Sequence, residues 1–557
     1  MKNIFRKHFL FILLLFILTV YLGLKAIPSN SWDDWAFGSA QTMLTMRHWV
    51  EDGMIYSKFL FIPIGYSKIV QYFDEPEMRR HAKGTTTGEL MENRLYYTHY
   101  PAGYLIPHGI LAKIGFESRY WFRFLALLFS LSALILMYFF FCFLSNKLIA
   151  FLATLYYAGS TMFLGLADSL ANQPIDDFFR FLILLLSVLA VRNASNVKKF
   201  RIYNIAIWVS YFLLASSSYD STFFVFVWLV GLDIVTDWNT NKDGAKPRTK
   251  RLKEIFLVRG KKWLLWGSAP VLAFILQMAQ NVWYLGWRDM WLDVYGSFKF
   301  RTTSAPGSGF FEKHIRSMFS PLVYLADFRA RFIIPIISFL FFIFWKLKNK
   351  VSYTWPKIQV LVLLALAGFA YPFILSSTAY FPYQGRQMLP FVGLLLASST
   401  ILIFKIFKEK REMSLYLIGM LLLVASLWFV QAQRTYSYIL EWPNNTVDKE
   451  VISFTKEIKD IEGENKVIFK LDGTIPTRHH HASLVLEYYM NMPIMSFKYS
   501  FDLVRDYKWL KDRSEYPFYS VVLTTTEEEF NEANSLFDGE DQISIIYRPD
   551  LNFDLGI

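Results

Sequence analysis

Two adjacent carboxylates, Asp33 and Asp34, stand between Trp32 and Trp35, a few residues after the first apolar run. Unpaired charge is costly to bury in hydrocarbon, so such a pair at a membrane surface keeps water, a cation or a substrate as company. Two readings follow from residue type and spacing. Asp favours a helix start, so the pair fits a solvated turn capping the helix that begins near Ala36. A carboxylate there also suits a general base that takes the proton of an incoming hydroxyl. Other groups able to do chemistry stand near the ends of apolar runs: His99, Arg123, Asp220 after Ser216-Ser217-Ser218-Tyr219, and Arg386. A guanidinium holds a phosphate bidentately, so Arg386 is the first and Arg123 the second candidate for binding an anionic group. Interfacial snorkelling accounts for both arginines equally well. His99 fits either a ligand contact or a hydrogen-bonded structural histidine.

Three further groups carry less. The run His479-His480-His481 does not converge readily on one ion, since consecutive residues diverge and no cysteine joins them. Lys313, His314 and Arg316 form a basic stripe of the kind that meets lipid headgroups. Asn444-Asn445-Thr446 is a glycosylation sequon, which matters only where the host glycosylates.

The elements that must position these residues are membrane helices. The chain has 557 residues, 54% hydrophobic, 18% aromatic and 19% charged, too apolar for an ordinary soluble protein. Apolar runs of roughly 18 or more residues recur along it. The net charge of +12 does not indicate nucleic acid. Its lysines and arginines cluster in short loops between apolar runs, as the positive-inside rule expects. One cysteine, Cys142, excludes an intrachain disulfide. The pattern predicts an uncleaved first helix at about 9–24. Spans follow at 120–143, 148–166, 175–192, 202–217, 220–236, 263–284, 331–346, 357–376, 387–406 and 413–432. That makes a polytopic α-helical protein of about 11 transmembrane helices.

Residues 1–432 form the membrane domain, and 26–119 its long first outer loop. Within the loop, 36–53 reads as a helix lying in the interface, 74–94 as a mobile charged segment, and 101–115 as a short re-entrant or interfacial helix. Residues 433–557 read as a soluble extracytoplasmic α/β domain. Its strands are expected at 467–471, 520–523 and 543–547, and its helices at 482–490 and 527–537.

The order of these motifs resembles the GT-C glycosyltransferases, especially the protein O-mannosyltransferases and the lipid A aminoarabinose transferases. Trp32-Asp33-Asp34-Trp35 matches the acidic pair that opens their first outer loop. His99-Tyr100-Pro101, the short helix to Gly115 and Arg123 match a later His-Pro-Pro, helix and arginine, with Tyr100 replacing the first proline. Arg386-Gln387-Met388-Leu389-Pro390 is similar to a late Arg-x-x-Leu-Pro. The family's acid between the third and fourth spans falls on Asn172, with Asp168, Asp176 and Asp177 close by. The resemblance covers residues 1–200 well and 380–405 weakly, and leaves the tail uncovered.

It implies an inverting transferase that uses a polyprenyl-phosphate-linked sugar and works on the outer face of the membrane; the basic, Phe-rich composition and the lack of a multi-cysteine outer domain point to a bacterial inner membrane. Asp33 and Asp34 then supply the catalytic base. His99, Arg123, Asp168, Asn172, Asp176, Asp177, Asp220 and Arg386 bind substrate, with Asp220 lining the sugar cavity. The acceptor is a glycan, lipid or protein. No cofactor is required, and a divalent metal stays open because of Asn172. Two other classes compete. A transporter or lipid flippase predicts ionisable residues deep in spans and internal repeats, and no repeat is present. An assembly protein would use the tail to bind a partner.

Overall fold

The computed structural model describes residues 2–27, 36–57, 59–61, 89–91, 94–96, 100–240, 248–288, 290–291, 294–295, 358–374, 382–409 and 415–441. Of the C-terminal part it describes mainly 466–471, 494–497, 519–524, 526–541 and 543–548. Asp33, Asp34, His99, the expected span 331–346, the basic stripe near Lys313, the sequon, the histidine run and the expected helix 482–490 lie outside the described residues.

The chain is mostly helical. Helix α1 (Lys2–Ala26) bends at His8, and α2 (Ala36–Glu51) follows the first gap. Strands β1 (Glu89–Met91) and β2 (Arg94–Tyr96) pair antiparallel, so part of the segment expected to be mobile is a hairpin. A 3₁₀ turn (Gly103–Leu105) leads into α3 (Ile106–Lys113), the short helix expected before the second span. Then come α4 (Arg119–Leu144), α5 (Lys147–Ala158), α6 (Thr161–Leu166), α7 (Gln173–Arg192) and α8 (Val197–Ser217). Helices α9 (Thr222–Thr240), α10 (Arg248–Leu285) and α11 (Ile358–Ile374) continue the bundle. A second 3₁₀ turn (Pro382–Gln387) precedes α12 (Leu389–Glu409) and α13 (Leu415–Glu441).

Three described helical stretches are long and apolar enough to cross a membrane: Lys7–Ala26, Arg119–Leu144 and Arg259–Trp283. They make this an integral membrane protein. Among the described residues, other predicted spans also form helices, shorter or less apolar over the described stretch. The reason is clear in α7, where Asp176, Asp177 and Arg180 are buried inside the bundle, so the helix packs among its neighbours with charge on it. The expected span 148–166 is two helices. Ser160 caps α6 by accepting from Phe163 N at 3.1 Å. The Gly159 carbonyl left at the break accepts from Gln431 Nε2 at 2.7 Å and Thr435 Oγ1 at 2.6 Å on α13. In lipid a freed carbonyl must find such partners.

Helix α4 packs on α5 and α7, α7 on α8, α9 on α11, and α5 on α12. Phe140, Tyr157, Leu184, Trp228, Leu364 and Leu395 from six of these helices meet in one core. Trp228 stacks edge-on with Phe140 and donates to Ser187 Oγ at 2.9 Å. Helices α5 and α12 approach closely because the contact is small. A Cβ on Gly393 would sit 2.9 Å from the Ala153 carbonyl.

Helix α2 departs from expectation. It does not lie with one face in the interface; Ser39, Thr42, Leu44, Thr45 and His48 are all buried. Ser39 Oγ accepts from Leu170 N at 2.9 Å, and Thr42 Oγ1 donates to Leu170 O at 3.0 Å. Its small hydroxyls dock on backbone, which is why a polar face can be covered.

Strands β3 (Lys466–Leu471), β4 (Ile494–Phe497), β5 (Tyr519–Thr524) and β6 (Ile543–Tyr547) form a parallel sheet in the order β4-β3-β5-β6. Val521, Val522 and Leu523 are fully buried, the unbroken apolar run of an inner parallel strand. Helix α14 (Glu527–Leu536) starts with a capping box between Thr526 and Glu529. Three of the strands fall where the sequence predicts them. The fourth, β4, has no alternation or β-branched run to announce it and is defined by its pairing with β3.

Candidate functional site

Two buried charge clusters form where several helices begin or end. The first joins α1, α4 and the 167–172 loop. Lys25, in the last turn of α1, places Nζ 3.0 Å from Asp168 Oδ1. Arg123 Nε donates to Asp168 Oδ2 at 2.9 Å, and an Nη of the same guanidinium also pairs with that oxygen. Lys25 further donates to Leu164 O at 2.7 Å and Tyr438 OH at 3.2 Å, while Arg123 donates to Lys25 O at 3.1 Å. Burial alone would raise the Asp168 carboxyl pKa; Lys25 and Arg123 outweigh it and hold it below the ordinary aspartate value. No buried polar atom of these three side chains lacks a hydrogen-bond partner.

The second cluster is built on the first turns of α7. Pro174 suits a helix start, and an acid there meets the positive end of the helix dipole. Asp176 Oδ2 accepts from Ser221 Oγ at 2.6 Å and from an Arg386 Nη at 2.8 Å. Asp177 Oδ1 accepts from Arg180 at 2.5 Å, its Oδ2 accepts from Tyr157 OH at 2.6 Å, and Arg386 Nε lies 3.3 Å from Oδ1. Arg180 also reaches Ser221 Oγ at 3.3 Å. Asp176 and Arg180 have no exposed surface, and Arg386 is 2% exposed. Several valences nevertheless stay unfilled among the described residues: Asp176 Oδ1, Gln173 Oε1, Arg180 Nε, and Nη1 of Arg386.

A neutral rim adjoins this cluster. Asn172 Nδ2 donates to Tyr100 OH at 2.7 Å and to Ser218 Oγ at 3.0 Å, and Tyr100 OH and Ser218 Oγ are 2.9 Å apart. Asp220 N donates to Ser218 Oγ at 3.1 Å, and the Asp220 carbonyl accepts from Gln387. Burial first, and then the nearby Asp220, hold the Tyr100 phenol well above its usual pKa, so it stays protonated. The two positions that depart from the family pattern, Tyr100 and Asn172, are therefore in direct contact. On α3, His108 Nδ1 donates to Tyr104 O at 3.1 Å, and burial lowers its pKa to about 4.

The structure thus gathers Asn172, Asp176, Asp177, Asp220 and Arg386 around one region, and sets Asp168 and Arg123 in a separate ion cluster with Lys25. Tyr157, Gln173, Arg180, Ser218 and Ser221 belong to the site without having been nominated. One signal was legible: Asp177 and Arg180 stand three apart in an apolar helix, the spacing of an intrahelical pair. A divalent ion calls for uncommitted carboxylate oxygens. Asp176 and Asp177 are each paired to arginine, and Asn172 spends its amide nitrogen on neutral partners, which leaves Asp176 Oδ1 and Gln173 Oε1 as unfilled oxygens of this set among the described residues. Among the described residues, one group could gather ligand atoms within 4.8 Å of one another: His48, Glu51 and Asp52 at the end of α2.

No protein-family model matches the chain, and no curated protein matches its sequence. Solved structures do. ArnT from Cupriavidus metallidurans in the apo state is 12% identical with a TM-score of 0.48, covering 98% of this chain and 94% of its own. The oligosaccharyltransferase AglB from Archaeoglobus fulgidus, solved with an inhibitory peptide and a dolichol-phosphate, is 13% identical with a TM-score of 0.47. The same organism's oligosaccharyltransferase tethered to an acceptor peptide gives 12% and 0.43. This chain aligns with 88% of its residues to each of the latter two, and spans only 65% and 64% of their length.

Proposed function

We propose that this chain is an inverting glycosyltransferase. It moves a sugar from a polyprenyl-phosphate donor to an acceptor hydroxyl or amine at the extracytoplasmic face of a membrane. The observation that supports it is the Asp176–Asp177–Arg180–Arg386 cluster. Four buried charged groups converge there from two segments, the start of α7 and the 3₁₀ turn before α12, and donors and acceptors among them are left unfilled. A purely structural cluster is under pressure to satisfy every buried polar atom. One with open valences at the meeting of helix ends is a receptor for a polar group.

Asp33 or Asp34 is the base in this reading. One carboxylate takes the acceptor proton, the acceptor attacks the anomeric carbon, and the bond to the phosphate oxygen breaks on the opposite side, releasing polyprenyl phosphate. A single base and direct displacement give inversion, by analogy with glycoside hydrolysis, where retention needs a second carboxylate as nucleophile. The sheet of β3 to β6 is assigned to an extracytoplasmic domain. The membrane is the inner membrane of a bacterium.

The test is sugar transfer by purified full-length protein in lipid, using polyprenyl-phosphate sugars and envelope extracts as acceptor. Asp33→Asn combined with Asp34→Asn should lower turnover by about a thousandfold or more while membrane insertion is kept. Full turnover in the double variant removes the assigned base. No transfer by the wild type from any donor, with intact folding, removes the enzyme reading.

A further inference from the structure

We propose that Asp176 and Arg386 form a subsite that reads a hydroxyl of the transferred sugar, and that Arg386 is not the clamp for the donor's phosphate. This rests on the reading of the chain as a polyprenyl-phosphate sugar transferase.

Charge comes first. Asp176 and Asp177 balance Arg180 and Arg386, so the four groups sum to zero. The Arg386 guanidinium already lies 2.8 Å from one carboxylate and 3.3 Å from the other. A phosphate arriving there would add a third anion beside two that are buried and cannot be screened by water. Repulsion from the carboxylates would offset the attraction of the guanidinium. The cluster at Lys25, Arg123 and Asp168 differs in this respect, with two cations to one anion.

Open valences come second. Asp176 Oδ1 is an acceptor and Arg386 Nη1 is a donor; both are buried without a hydrogen-bond partner among the described residues, on the two members of one ion pair. A phosphate oxygen would satisfy the donor and leave the carboxylate oxygen facing another negative charge. A hydroxyl donates to one and accepts from the other, and so fills both. Gln173 Oε1, also buried and unpartnered in the first turn of α7, is a second acceptor in the same turn. Donor and acceptors on planar groups suit neighbouring sugar hydroxyls.

Preorganisation comes third. Ser221 and Arg386 both bond Asp176 Oδ2 and fix the plane of the carboxylate, which fixes where Oδ1 points. Asp177 and Asp176 together fix the guanidinium. A hydroxyl entering this subsite orders little protein, so a missing or inverted hydroxyl leaves buried charge unmatched. Sites of this kind reject the analogue that lacks the group.

The experiment compares two ligands on full-length protein in lipid: bare polyprenyl phosphate, read as a dissociation constant, and polyprenyl-phosphate sugars with their single-deoxy analogues, read as KM and kcat. The variants are Asp176→Asn, Arg386→Gln and Arg386→Lys, the last keeping the charge that pairs with the aspartates so that folding is retained. Bare polyprenyl phosphate should bind Arg386→Lys and Arg386→Gln within about twofold of wild type. The KM for the sugar donor should rise at least about tenfold, and the preference for the full sugar over one deoxy analogue should collapse. Equal weakening of bare and sugar-bearing lipid by Arg386→Gln would make Arg386 the phosphate clamp and overturn the proposal. So would variants that keep the wild-type discrimination between full and deoxy sugars. A wild type that transfers none of the donors defeats the enzyme reading itself, and is told apart by the absence of any turnover to compare.

Discussion

Asp168 and Asp176 are eight residues apart, equally buried and each held by arginine, yet their surroundings differ in kind. Around Asp168 both carboxylate oxygens are filled, Lys25 and Arg123 share them, and the ammonium is tied to backbone and to Tyr438 as well. Around Asp176 one oxygen is locked and the other open, and the guanidinium beside it keeps an open nitrogen. A filled cluster fastens parts together: here the end of α1, the start of α4 and the loop leading to α7. An open one carries a desolvation cost that a ligand can recover. The comparison separates a fastening from a receptor by hydrogen-bond valence, where charge and burial alone would have ranked them the same.

The largest effect expected is on the fastening. Asp168→Asn leaves Lys25 and Arg123 buried against one neutral amide and should destabilise by about 3–5 kcal/mol. Thermal unfolding in detergent, or the yield of monodisperse protein, reads it. Asp176→Asn should cost less, about 1–2 kcal/mol, because Arg386 keeps Asp177 at 3.3 Å. Equal losses in the two variants would dissolve the distinction.

Acid titration sharpens it next. Asp168 has a lowered pKa, so its contribution is fully present above the ordinary value of 3.8 and is lost only as pH falls through the lower folded value. It gives no slope between pH 4 and 6.5. His108 does: its pKa falls from 6.5 to about 4 on folding, so the unfolded chain binds the proton first. Stability should therefore decline as pH drops across that window, by at most about 3 kcal/mol. His108→Gln should flatten the decline, and a flat wild-type curve would show that the imidazole is not kept neutral.

A smaller effect tests how the neutral rim is placed. A Cβ on Gly103 would meet the Ser216 carbonyl, two residues before the Ser218 that holds Tyr100. Gly103→Ala should cost about 1–3 kcal/mol and lower turnover of the folded fraction. Unchanged melting and turnover would mean the 3₁₀ turn moves freely. The smallest is Tyr100→Phe, which removes one hydroxyl from the Asn172–Ser218 network and should cost about 1 kcal/mol, or about fivefold in donor KM. A KM equal to wild type would place the rim outside the substrate's reach.

Much of the fold was legible. Apolar runs and basic loops located α4, α7, α8 and α12 within a few residues, and β-branched runs located β3, β5 and β6. Hydropathy could not see that α5 and α6 are two helices, because the break depends on Gln431 and Thr435 reaching Gly159 from 272 and 276 residues away. It misplaced α2 for the same reason: a helix with a polar face looks interfacial until Leu170 supplies its partners. Of the candidate site, residue chemistry nominated Arg123 and Arg386, since charge near an apolar run is visible in any window, and the order of motifs around Asn172 nominated Asp168, Asp176 and Asp177.

The sequence by itself determined that this is a membrane protein, where its charges interrupt its helices, and which class its motifs resemble. Only the tertiary structure decided which charges meet. Arg386 joins Asp176 across 210 residues, while Arg123 joins Asp168 and leaves that site. The physical reason is that an ion pair in a bundle is set by which helix ends converge, a long-range property, whereas burial and periodicity are written locally. Whether a valence is filled or open depends on every neighbour at once, and that sum exists only in the folded chain.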